Sequence, residues 1–343
     1  MRFNAVAAAF VLSGGCFVNT VMAADYPRAE ITNGQIRATI YLPDAQTGFY
    51  RSTRFDWSGV VSSLEFGGHD YYGPWFSKYD PTVRDFIYKD ADIVAGAQSA
   101  SMGPVNEFQT PLGFDAAAAG GTFLKIGVGV LKRADDTPYS AYKNYEIVDS
   151  GKWSVRKGAD FVEFVQELSD PATGYGYVYR KTVRLTSGKP EMVIEHSLKN
   201  TGRQPIRSNL YNHNFLVLDG TATGPEYVIT MPFEVKTSHP PNGELAEVQG
   251  NRIVYLKTLQ DRDTVAMPVE GFGGDAKDYD IRVENRKVGA GMRVTGDRPL
   301  ASMALWSIRS VLAIEPFITV AIETGKAMTW KYTYSYYTMT KGN

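Results

Sequence analysis

Residues 330–336 read Trp330-Lys331-Tyr332-Thr333-Tyr334-Ser335-Tyr336, four large aromatic side chains alternating with three polar ones. Successive side chains of a strand point to opposite faces, so this spacing predicts a strand with a buried aromatic row and a wetter reverse side. The same period recurs in residues 191–200, where Met192, Ile194, His196 and Leu198 share one face while Glu191, Glu195 and Lys199 take the other. Further strands are predicted at 36–42, 60–66, 123–131, 152–156, 160–168, 177–185, 208–215, 227–233, 252–256, 280–285, 290–295, 302–308 and 311–319. Asn33-Gly34, Gly67-Gly68, Ser187-Gly188-Lys189-Pro190, Asn242-Gly243 and Thr324-Gly325 supply the turns between them. About fifteen strands with short connections imply an all-β chain of two large antiparallel sheets packed face to face. Residues 81–101 are the least strand-like and read as a short helix or a long loop.

Composition agrees with one folded domain over residues 24–343, since the 343 residues are 43% hydrophobic and 21% charged, with no repeat or linker-like tract. The 36 basic and 37 acidic residues nearly cancel, which leaves no positive field to hold nucleic acid. Residues 1–23 read as a signal peptide. Arg2 precedes an apolar run from Phe3 to Leu12, and Val21 and Ala23 are the small residues that cleavage after Ala23 requires. The expected location is therefore periplasmic or secreted. Cys16 is the one cysteine, and Ser13 stands where a lipoprotein signal carries Leu, which argues against a lipid anchor. No later apolar run approaches the ~20 residues of a membrane-spanning helix.

Few residues are left to carry chemistry. Without a cysteine in the mature chain or a Gly-x-Ser-x-Gly turn, acyl-enzyme hydrolysis is disfavoured. No His-x-x-x-His or Cys pair offers a metal site, and Asp275, Asp278 and Asp280 read as a solvated loop. Among the four histidines, His196 belongs to an apolar face, His69 to a hairpin turn and His239 to a loop before Pro240-Pro241. His213 differs. It lies in Tyr211-Asn212-His213-Asn214-Phe215, where adjacent hydrogen-bonding side chains are costly to bury unless each finds a partner. Either a polar pocket on the sheet or a solvent-wetted edge strand would meet that cost. Glu315 ends the apolar run Val311-Leu312-Ala313-Ile314 and is held extended by Pro316. Buried without a partner it would take up a proton; the alternative is a salt-bridged structural carboxylate.

Asn212-His213-Asn214-Phe215 followed by Leu218-Asp219-Gly220 resembles the Asn-His-x-x-Phe-x-Leu segment of the galactose mutarotase (aldose 1-epimerase) superfamily. Ser63-Leu64-Glu65-Phe66-Gly67-Gly68 resembles its early strand and hairpin, and Glu315 followed by Thr324-Gly325-Lys326 and an aromatic strand resembles its last segment. The resemblance covers most of the mature chain. It implies a β-supersandwich, a monosaccharide or oligosaccharide as partner, no cofactor or metal, and a sugar-opening site with His213 as acid and Glu315 as base. It also implies substrate contacts from Tyr211, Asn212, Arg54 and Glu107. This chain departs from the family upstream, where Gly103-Pro104-Val105-Asn106-Glu107-Phe108 lacks the family's further histidine. Glu107 or Asn106 is then its replacement, and Arg51 or Arg54 the sugar-binding arginine.

Two other functions fit the same fold. A polysaccharide lyase needs residue types found in Tyr211, Asn212 and His213, although strand neighbours face opposite ways and cannot share a cleft without a bulge. A non-catalytic carbohydrate-binding protein would use aromatic platforms alone.

Overall fold

The computed structural model describes residues 26–339, so the expected signal peptide and its cleavage point at Ala23 lie outside the described residues. The described elements are strands, apart from two single 3-10 turns at Leu218–Gly220 and Ala276–Asp278. Trp330, Tyr332, Tyr334 and Tyr336 are all buried, as their alternation predicts. They lie on the strand Ala327–Thr338, inside a ten-stranded antiparallel sheet that also contains Phe161–Asp170, Tyr175–Leu185 and Glu191–Asn200. Register places Trp330 opposite His196 and Tyr334 opposite Met192. His196 stacks on Trp330 at 4.8 Å and meets the Tyr179 hydroxyl at 2.9 Å, the core histidine that its apolar face implies.

A five-stranded antiparallel sheet packs against this one, with order Thr264–Pro268, Ser302–Ile308, Val311–Ile322, Ile206–Leu216 and Gly103–Phe108. Asn212 and Asn214 project from one of its faces to the tyrosine row, where the Tyr334 hydroxyl donates to Asn214 Oδ1 at 2.8 Å and accepts from the Asn212 amide. Tyr211, His213 and Phe215 alternate with them and emerge on the other face. That second face carries the candidate site.

Three smaller sheets complete the fold and extend the two-sheet expectation. In the four-stranded one, Gly67 and Gly68 take φ of 60° and 82°, as a two-residue hairpin requires, and join Val60–Phe66 to His69–Tyr72. The region 81–101 corrects the helix-or-loop reading. It forms the strands Phe86–Lys89 and Asp92–Ala95, which are too short for alternation to register, and Ile93, Val94 and Ala95 are buried. No described helix is long and apolar enough to cross a membrane.

Candidate active site

Strand register brings the two residues singled out as catalytic together. Tyr211 lies opposite Phe317 and Asn214 opposite Ile314, which brackets His213 and Glu315 on adjacent central strands of the five-stranded sheet. Their side chains meet with His213 Nε2 3.1 Å from Glu315 Oε1. Pro316 beside them has no N–H to give to the ladder. The Asn214 amide donates instead to the Asn212 and Ile314 carbonyls, at 3.2 and 2.8 Å, and keeps the strand extended there. Ala304, opposite Glu315 on the next strand, is small and leaves room above the pair.

That room is a cavity of about 410 Å³, within the usual range for small-ligand sites. His213 and Glu315 line it, with Arg54, Asp85, Ser99 and Tyr142 along a polar side and Trp75, Phe86, Phe215 and Trp306 along an apolar one. Phe215 stacks on the His213 ring at 3.7 Å, and Trp75 stacks in turn on Phe215 at 5.8 Å. A lining that mixes aromatic and polar groups suits a pyranose, whose ring faces are C–H-rich and whose edges are hydroxylated.

Burial decides where the protons rest. It drives the His213 imidazole well below its ordinary value, with the Arg54 charge acting in the same direction. It raises Glu315 to about 7, with Arg54 opposing and Glu107 assisting. Both shifts favour a neutral pair over separated charges in this medium, so below about pH 7 a proton shared by the two is held by the Glu315 carboxyl. Unperturbed values would have placed the proton on histidine and left the glutamate ionised; both shifts run against that distribution.

Arg54 lines the cavity, as expected, but its polar atoms are largely committed to the protein. Its Nε donates to Glu107 at 3.0 Å, one terminal nitrogen donates to the Tyr211 hydroxyl at 2.7 Å and the other to Ser99 at 3.4 Å. The rings of Phe55 and Tyr142 hold its guanidinium at 4.5 and 4.6 Å. Glu107 also accepts from Tyr211 at 2.8 Å and from the fully buried Lys125 at 3.0 Å. Burial alone would raise Glu107, yet Lys125 and Arg54 together hold it below the usual carboxylate value.

The substrate-contact expectations need correction at three residues. Asn212 is fully buried on the reverse face of the sheet, bonded to Tyr334 and Asn214, because it alternates with His213. Tyr211 and Glu107 are buried behind Arg54 and lie outside the cavity lining; they fix the arginine. Asn106 shares the reverse face with Asn212, and Arg51 stands outside this cavity. Sequence reading missed Asp85, Ser99, Tyr142, Trp75 and Trp306. The first three come from loops or turns with no motif around them, whereas Trp306 lies on a predicted strand and its alternation with Ala304 was available.

The two packed sheets and the cavity on the outer face define the chain as having the galactose mutarotase-like fold. It superimposes on the Slr1438 protein of Synechocystis sp. PCC 6803 with a TM-score of 0.52 at 12% identity, over 93% of this chain and 99% of that one. A candidate aldose 1-epimerase from Escherichia coli K12 gives 0.51 at 11% identity, over 91% and 99%. A galactose mutarotase related enzyme from Lactobacillus acidophilus gives 0.50 at 11%, over 91% and 98%. No protein-family model and no curated protein sequence matches the chain.

Proposed function

We propose that the chain is an aldose 1-epimerase-like enzyme that interconverts the anomers of a free sugar by opening and reclosing its ring. The observation that carries this reading is the 3.1 Å contact between His213 and Glu315 in a sugar-sized, partly aromatic cavity. Opening requires one group to protonate the ring oxygen as its bond to C1 breaks and another to accept the proton of the anomeric hydroxyl. With the resting proton on Glu315, the carboxyl serves as the acid and neutral His213 as the base. The open aldehyde turns about its C1–C2 bond, and reclosure on the other face returns both protons. The step is neutral overall and consumes nothing.

Asp85 and Tyr142 suit sugar hydroxyls at the polar side, and Arg54 offers its remaining N–H groups. The committed guanidinium and the neighbouring carboxyl groups favour an uncharged sugar over a phosphorylated one. A lyase reading lacks support, since Asn212 faces away from His213. Export to the periplasm or medium is part of the proposal and rests on the pattern of residues 1–23; the first residue of the purified natural protein tests it.

Polarimetry on freshly dissolved α-glucose and α-galactose is the direct test of activity. Wild type is expected to accelerate equilibration of at least one aldose, and His213→Asn to lose at least 100-fold, within the usual contribution of acid–base catalysis. Absence of acceleration with any aldose would refute the proposal.

A further inference from the structure

A cleft of about 680 Å³ lies beside the cavity above His213, and neither the sequence motifs nor the proposed chemistry assigns it a role. Tyr41, Phe49, Phe76 and Tyr79 present rings to it; Tyr41 and Phe49 stack at 4.5 Å, and Tyr79 is 57% exposed. Soluble chains seldom leave such a group of rings open without a use for it. Arg51 and Lys78 are the charged residues of the lining. Lys78 is paired with Asp92 outside the cleft, whereas Arg51 is exposed and donates to the Gln46 carbonyl, with Asp44 nearby; Ser52 and Asn144 add uncharged polar groups.

The wall between cleft and cavity is shared. Thr53 faces the cleft and Arg54 the cavity, Ala100 the cleft and Ser99 the cavity, Asn144 the cleft and Tyr142 the cavity. Buried Gln98 ties the three segments together: its amide nitrogen lies within hydrogen-bond reach of Thr53 Oγ1 at 3.1 Å, the Lys143 carbonyl at 3.0 Å and Asn144 Oδ1 at 2.6 Å, and its Oε1 accepts from the Thr53 N–H at 3.2 Å.

We propose that this cleft is a second binding site, for a ring compound carrying a carboxylate, and specifically for an acidic saccharide. Sugar ring faces stack on tyrosine and phenylalanine, and the exposed Arg51 guanidinium can pair with a uronate carboxylate. The choice of a saccharide over another ring acid rests on the function proposed above. The assays stay separable, because polarimetry reads the cavity while the loss of binding in the cleft variants, and not in His213→Asn, reads the cleft.

Isothermal titration with digalacturonate, galacturonate, galactose and 4-hydroxyphenylacetate tests the proposal on wild type, Arg51→Gln, Tyr79→Ser and His213→Asn. Both cleft substitutions are at exposed side chains and leave the core intact. Digalacturonate is expected to bind wild type and His213→Asn equally, at least tenfold more weakly to each cleft variant, and with salt sensitivity. Three results would overturn the proposal: no saturable binding of either uronate, uronate binding lost in His213→Asn and kept in Arg51→Gln, or binding of 4-hydroxyphenylacetate alone.

Discussion

Replacing Glu315 by glutamine should make the protein more stable in alkaline solution while removing its activity. The wild-type carboxyl is raised from an ordinary 4.5 to about 7, first by burial, and its side chain is only 15% exposed. Because the folded value exceeds the unfolded one, its contribution to stability is complete below 4.5 and is lost as pH rises through 7. At about 1.4 kcal/mol per tenfold in proton affinity, ionised Glu315 costs the folded chain roughly 3 kcal/mol at pH 8.5. Glutamine cannot ionise, and its amide can donate to His213 as the carboxylic acid does. With an unfolding entropy of ~2.1 cal/mol/K per residue, that difference corresponds to ~4–5 °C in melting temperature. Calorimetric melts of both proteins at pH 5 and pH 8.5 provide the test. The two should agree within about 1 °C at the lower pH, and Glu315→Gln should melt ~4–5 °C higher at the upper one. A gap that stays the same at both pH values would refute the assignment of a buried, proton-holding carboxyl.

The pair should also shape the pH profile of kcat/KM in polarimetry, falling as pH rises through about 7, where Glu315 loses the shared proton, and falling on the acid side only well below the ordinary histidine value. A rate that climbs through pH 8 would exclude the neutral pair. Asn212→Ala should cost about 1–3 kcal/mol in urea unfolding by stranding the partners of its amide, and leave KM for the sugar nearly unchanged. A tenfold rise in KM would return Asn212 to the substrate. Lys125→Met leaves Glu107 buried with Arg54 as its one cation, and should cost about 3–5 kcal/mol by the same measurement; an unchanged midpoint would show that the lysine is dispensable.

The aromatic strand and its partner at Glu191–Asn200 were legible because period-two burial is a local signal, and the turns because glycine marks left-handed backbone. His213 and Glu315 stood out as polar groups within apolar strands, and the register that joins them follows once those strands pair. What sequence could not show is depth. Tyr211 and Glu107 have the residue types of a sugar site, yet both lie behind Arg54, and only the long-range packing of Lys125 against Glu107 settles that. Alternation alone, applied to Asn212 and His213, would have removed Asn212 from the substrate set. The strands of 86–95 escaped notice because four-residue strands in small sheets carry almost no periodic pattern.

The amides of Asn212 and Asn214 engage the hydroxyl of Tyr334 across a largely apolar seam, which a Tyr255–Ser307 hydroxyl pair at 2.8 Å also bridges. They act as an index pin. Sliding one sheet over the other by a two-residue step, about 7 Å, would strand two carboxamides and a phenol in a dry interlayer. Grease alone tolerates such creep, whereas this polar peg admits a single alignment. The depth at which the imidazole and carboxyl sit beneath the cavity mouth is thus gauged from behind, by groups outside the cavity lining.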